Sequence, residues 1–186
     1  MSGPTTTTSI NRYLFGIEKT FLNGKYSIEL RMPLVGQDDI VGDVMNVAGS
    51  DLGNLNLVVR RLLWYNGKCA VGGGLCIDAP TGSDVTAQYS IFRTTFHNEA
   101  VCLSPFIGFV REPNSRWFQQ AIVQIDIPLS GNHVTYDAGP LTGSFGKIYD
   151  QTLLQIDLAM GRWLYRQKQA ATLTGLAAII ELHIIT

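Results

Sequence analysis

The sequence predicts an all-β fold. It reads as an antiparallel up-and-down meander of about eight long strands, forming a transmembrane β-barrel that is either complete and small or part of a larger one. Three observations carry this. Apolar residues recur at every second position, the period of a strand with two unlike faces. The alternating stretches run to roughly 15 residues, against about five or six for an ordinary strand. Short and long connections take turns along the chain, the asymmetry of outer-membrane barrels.

The first strand is expected at Arg12–Phe21, with Tyr13, Phe15, Ile17 and Phe21 on one face and Glu18 on the other. Asn23-Gly24 follows as a hairpin signal, because a type I′ turn needs positive φ at both central residues. Tyr26–Leu34 returns, with Ile28, Leu30 and Met32 opposite Glu29 and Arg31. Pro33, near its end, is expected to mark an exit from regular pairing. Residues 35–50 read as a long loop. Its Asp38, Asp39 and Asp43 lack the spacing and closing Glu of a calcium loop.

Asp51–Tyr65 is the third strand, with Leu55, Leu57, Val59, Leu63 and Tyr65 on one face and Asn54, Asn56 and Arg60 on the other. Asn66-Gly67 makes the second short turn, and Lys68–Pro80 returns as the fourth strand. Its Gly72-Gly73-Gly74 run is no phosphate loop, since no helix follows and Gly-Lys-Ser/Thr is absent. Glycines inside a barrel strand allow curvature or close side-chain approach. Residues 81–99 form a second long, polar loop. Ala100–Glu112 and Trp117–Ile127 are the fifth and sixth strands, joined by a tight turn at 113–116. Residues 128–150 are the third long loop. Gln151–Tyr165 and Thr172–Thr186 make the last hairpin around a break at 166–171. In it Leu154, Ile156, Leu158, Ile180, Leu182 and Ile184 oppose Gln155, Asp157, Glu181 and His183.

Composition agrees with this reading. The 186 residues are 46% hydrophobic and only 16% charged, below the roughly 25% of soluble domains. The length fits a single β-barrel domain over 11–186, preceded by a disordered Gly/Pro/Thr-rich segment at 1–10. A net charge of -1, with no basic cluster interleaved with aromatics, gives no reason to expect nucleic acid. No run of about 18 apolar residues exists, so no transmembrane helix is expected. Cys69 and Cys76 fall on opposite faces of one strand and cannot pair. With Cys102 they read as small, half-buried strand residues, and neither metal nor cofactor is expected.

If the apolar face meets lipid, the other face carries Glu18, Glu29, Arg31, Arg60, Asp78, Gln124, Asp126, Gln155, Asp157, Glu181 and His183. These are the candidate lumen-lining residues. Acids and arginines there should pair, because unpaired charges in a narrow, partly dry interior are costly. That pairing is the structural reading; a polar path for small solutes is the functional one. Trp64, Tyr65, Trp117, Phe118, Trp163 and Tyr165 all flank the short turns, as an aromatic girdle at one membrane interface would. No catalytic residue is expected. Ser130-Gly131-Asn132-His133 is a chance run, no Gly-x-Ser-x-Gly occurs, and Glu181 with His183, two residues apart on one face, is an acid–base pair with no nucleophile assigned to it.

Three stretches carry a family resemblance: Asn11-Arg12-Tyr13-Leu14-Phe15-Gly16-Ile17-Glu18-Lys19-Thr20-Phe21, Gly74-Leu75-Cys76-Ile77-Asp78-Ala79-Pro80-Thr81-Gly82, and Gly161-Arg162-Trp163-Leu164-Tyr165. They resemble bacterial outer-membrane β-barrel proteins of the transporter-like group associated with phenol meta-pathway operons. The resemblance spans most of the chain. It implies an outer-membrane location, a lipid bilayer as partner and a structural or porin-like role, not a mechanism. The chain lacks the signal peptide and the C-terminal aromatic of such proteins, so a fragment of a longer barrel is expected. The competing reading is a soluble, lipocalin-like β-barrel binding a small apolar ligand.

Overall fold

The structure is a computed structural model that describes residues 11–36, 40–41, 46–48, 52–167 and 175–186. The described residues form fourteen strands and no helix. In chain order they are β1 (Asn11–Phe21), β2 (Tyr26–Gly36), β3 (Ile40–Val41), β4 (Asn46–Ala48), β5 (Leu55–Tyr65), β6 (Cys69–Ala79) and β7 (Val85–Tyr89). They continue as β8 (Phe92–Phe96), β9 (Cys102–Arg111), β10 (Trp117–Pro128), β11 (Asn132–Ala138), β12 (Leu141–Ile148), β13 (Leu153–Arg166) and β14 (Gly175–Ile185). Every pairing is antiparallel, as the sequence predicts.

The eight long strands make one sheet in the order β1-β2-β5-β6-β9-β10-β13-β14, an up-and-down meander. A second sheet has the order β12-β11-β8-β7-β4-β3. Its neighbours repeat those of the first: β8 lies beside β11 as β9 lies beside β10, and β4 beside β7 as β5 beside β6. The second sheet is therefore the first one continued past a joint. The expectation of about eight strands and three long loops is corrected here. Each of the regions 35–50, 81–99 and 128–150 contains a hairpin of short strands. Their frequent Asn, Ser and Thr serve the joints.

Those joints break the ladder, and side chains take up the freed backbone groups. Asn132 Oδ1 accepts the backbone N–H of Glu99 at 2.9 Å and of Ala100 at 2.8 Å. Thr81 Oγ1 accepts from Leu55 N at 2.8 Å, and Asn54 Oδ1 from Gly82 N at 3.1 Å. At the other end the turns are tight. The first joins Phe21 to Tyr26 through residues 22–25 rather than a two-residue Asn-Gly turn, with Leu22, Asn23 and Gly24 all at positive φ, 50°, 57° and 79°. Asn66 and Asn114 make equivalent turns, each side-chain oxygen accepting two successive N–H groups two and three residues on.

Pro33 does not end its strand. It pairs with Leu14 and β2 runs on to Gly36. The sheet tolerates it because β5 is registered only against Tyr26–Arg31, so at Pro33 the strand no longer needs a donor on that side. The segment 1–10, the aspartates Asp38, Asp39 and Asp43, and the tip of the last hairpin at 168–174 lie outside the described residues.

The sheet is curled. Residues from six neighbouring strands, β2, β5, β6, β9, β10 and β13, line one cavity of about 580 Å³. Six strands laid flat would span roughly 24 Å, too far to share a pocket. The convex face of the first sheet is apolar and bare: Ile17 is 74% exposed and Ile180 77%. Among the described residues only Val58 and Val134 are buried hydrophobics. The wall has no core of its own on its convex side.

Candidate functional site

The concave face collects the predicted polar residues. Arg31, Arg60, Asp78, Gln124, Asp126 and Asp157 line its main cavity, and Glu18 lines a second cavity beside it. Glu29, Gln155, Glu181 and His183 join through contacts with these. All eleven expected positions thus share one face. Strand alternation puts them there, because their registers match across neighbours: Glu18 opposite Glu29, Asn56 opposite Asp78, Gln124 opposite Gln155, Asp157 opposite His183.

The charges are segregated. Arg31 binds Glu29 through two hydrogen bonds, Nε to Oε1 at 2.8 Å and Nη2 to Oε2 at 2.9 Å. Arg60 donates from Nη1 to Glu18 Oε1 at 3.0 Å and from Nη2 to Glu29 Oε2. Both guanidiniums are therefore neutralised on the β1–β2–β5 side. The carboxylates on β6, β10, β13 and β14 have no guanidinium. Gln124 donates to Asp126 Oδ1 at 2.8 Å, and Gln155 donates to its Oδ2. His183 Nδ1 lies 2.6 Å from Asp157 Oδ1, and its Nε2 lies 3.5 Å from Glu181. One oxygen of Asp78, Oδ1, is buried without a partner. Six carboxylates face two guanidiniums and one imidazole across these eleven positions, so the face is acidic.

The pairing predicted from sequence is thus present for the arginines; Asp157 meets His183 instead, and Asp78 and Asp126 meet no cationic side chain. Asn56, already on the polar face by alternation, lines the same cavity, and so do Cys76, Cys102, Ser104 and Phe106, which were not among the expected lumen residues. Parity with Asp78 marked Cys76, whereas β9, which carries the other three, holds no expected lumen residue from which to count. Phe106 lies over Gly74, whose missing Cβ makes the room. The three thiols are free, and among the described residues no cluster of three His, Cys, Asp or Glu side chains could hold a metal.

The aromatics at the short-turn end divide between faces. Bulges at Leu62/Trp64 and Trp163/Tyr165 shift the alternation there. Trp64 sits opposite Val71 and Tyr165 opposite Leu176, both on the convex side. Trp117 joins them, with the Arg162 guanidinium 5.7 Å from its ring. Phe118 and Trp163 meet on the concave side at 5.3 Å, and Tyr65 pairs with Ala70 there.

The second sheet has unlike faces too. Thr86, Arg93, Thr95, His97, Thr135 and Asp137 lie on one side; Val85, Phe92, Phe96, Val134, Tyr136 and Leu141 lie on the other. Asn132 lines the main cavity and precedes Val134 by two residues, so the apolar side is the concave one. On the polar side, His97 Nδ1 lies 2.7 Å from Asp84 Oδ2 and its Nε2 lies 3.0 Å from Thr135 Oγ1. The Asn98 backbone N–H, 2.9 Å from Asp84 Oδ1, and then the His97 ring hold that carboxyl below its ordinary range.

Compared with known protein families, characterised proteins and solved structures, the chain matches none.

Proposed function

We propose that this chain forms the wall of a bacterial outer-membrane β-barrel, with a structural or porin-like, non-enzymatic role in passing small solutes along a polar lumen. One observation carries the reading. The first sheet bares a continuous apolar convex face, while its concave face is polar, acidic and hydrogen-bonded across strands. Water would not tolerate so large an apolar face on a monomer. A bilayer supplies the partner, and an antiparallel wall satisfies its backbone groups between strands. The girdle role falls to Trp64, Trp117 and Tyr165, which combine the turn-end position with the convex face. The sequence resemblance to transporter-like outer-membrane barrels points the same way.

The test is refolding into detergent micelles or plain buffer, read by circular dichroism and by heat-modifiable migration on gels. A β signal and a mobility shift in detergent alone are expected. A monodisperse folded protein in plain buffer would overturn the reading in favour of a soluble, ligand-binding barrel. Single-channel conductance in planar bilayers then separates an open lumen from a filled one.

A further inference from the structure

We infer that lipid covers the convex face of the first sheet only, that the bilayer ends at the joint, and that the second sheet stands in water with its apolar face turned into the barrel mouth. The inference rests on the membrane reading and adds where that membrane stops.

Two stretches of chain carry it, because each crosses the joint without changing strand parity. Along β10–β11 the convex positions read Ala121, Val123, Ile125, Ile127 and Leu129, then His133, Thr135 and Asp137. The concave positions read Ile122, Gln124, Asp126, Pro128, Ser130 and Asn132, then Val134, Tyr136 and Ala138. Asp126 and Asn132 line the same cavity, so the strand has not rolled over at the joint. The residue chemistry has exchanged sides instead. Along β8–β9 the same exchange runs in reverse: Arg93, Thr95, His97 and Glu99 give way to Val101, Leu103, Ile107 and Phe109 on the convex side.

A soluble sheet packed on one core keeps its apolar side throughout. An exchange at one level of neighbouring strands marks a change of solvent outside the wall. The height agrees. Val101 to Phe109 and Ala121 to Leu129 each cover roughly 27 Å of strand, or about 21 Å at a tilt of about 40°, close to the roughly 25 Å apolar band of such barrels. Above the joint, the rings of Phe92 and Tyr136 stack at 6.0 Å, and Tyr136 meets Phe145 at 4.7 Å, all on the inward side. The rings of Phe92 and Phe145 are exposed, 37% and 63%, yet face away from the side a bilayer would occupy.

The experiment uses the full chain with Cys69, Cys76 and Cys102 replaced by serine, refolded into phosphatidylcholine vesicles. Single variants Ile107→Cys, Ile125→Cys, Thr95→Cys, Thr135→Cys, Phe96→Cys and Tyr136→Cys carry a fluorophore, and lipids brominated on their acyl chains act as quenchers. Heat-modifiable migration selects the variants that fold. Strong quenching at positions 107 and 125, with none at 95, 135, 96 or 136, is expected. Quenching at 107 and 125 together with 96 or 136 would sink the boundary while leaving the membrane reading intact. No quenching at 107 and 125 would sink both.

Discussion

At the residue scale, the joint depends on a few polar side chains. Asp84 accepts from the Asn98 backbone N–H and contacts His97, which reaches Thr135 on β11. Its pKa is depressed in the folded state, so its stabilising effect is present above the ordinary carboxylate range and is lost as pH falls through the lowered value. Hydrogen exchange of residues 85–98, corrected for intrinsic rate, should rise as pH drops below about 4, and Asp84→Asn should exchange fast at every pH. Glycines give a second residue-level expectation. A Cβ at Gly74 would meet the backbone carbonyl of Val59 as well as the Phe106 ring, and neither can be relieved by one rotamer change. Gly74→Ala should cost about 1–3 kcal/mol, read as a lower temperature for the gel mobility shift. The nearest neighbours of a Cβ at Gly161 all lie on the far edge of the Phe118 ring, with no backbone atom among them, so Gly161→Ala should cost less.

At the element scale, the edge strand β1 is held by its ladder to β2 and by one ion pair that skips a strand. Arg60 of β5 reaches Glu18 of β1 as well as Glu29 of β2. These groups are partly exposed, so Arg60→Ala should lower stability by only about 1 kcal/mol. The loss should concentrate in β1, seen as faster backbone exchange over 11–21 with little change in β10 or β13. The long strands themselves were legible. Alternation located all eight within a few residues, and Asn23-Gly24 and Asn66-Gly67 marked their turns. The six short strands were not. In β8 and β11 the alternation is out of phase with that of β9 and β10, so a reading that follows one apolar face loses the pattern at those joints. Asn, Ser and Thr there looked like loop composition, although they cap a broken ladder.

At the scale of the whole molecule, the concave face should act on permeating ions. Its arginines are paired with Glu18 and Glu29, whereas Asp78, Asp126 and Asp157 have no guanidinium near them. A lumen built on this wall should prefer small cations over anions. Reversal potentials in a potassium chloride gradient should show that preference, and Asp78→Asn combined with Asp126→Asn should reduce it. An unchanged reversal potential in the double variant would place the selectivity elsewhere.

The sequence by itself determined the strand class, the antiparallel order of the long strands and the membership of the polar face. Period-two alternation fixes which side each residue takes, and short turns force neighbours to pair. All eleven polar positions fell together for that reason. Only the tertiary structure decided which acid meets which base, because cross-strand register depends on turn geometry and bulges. Two bulges sent Trp64 and Tyr165 outward and left Trp163 against Phe118. Tertiary structure also decided that three apparent loops extend the wall. Short hairpins gain stability by pairing with one another, and that contact links residues as distant as Val85 and Val134, both placed beside Phe96.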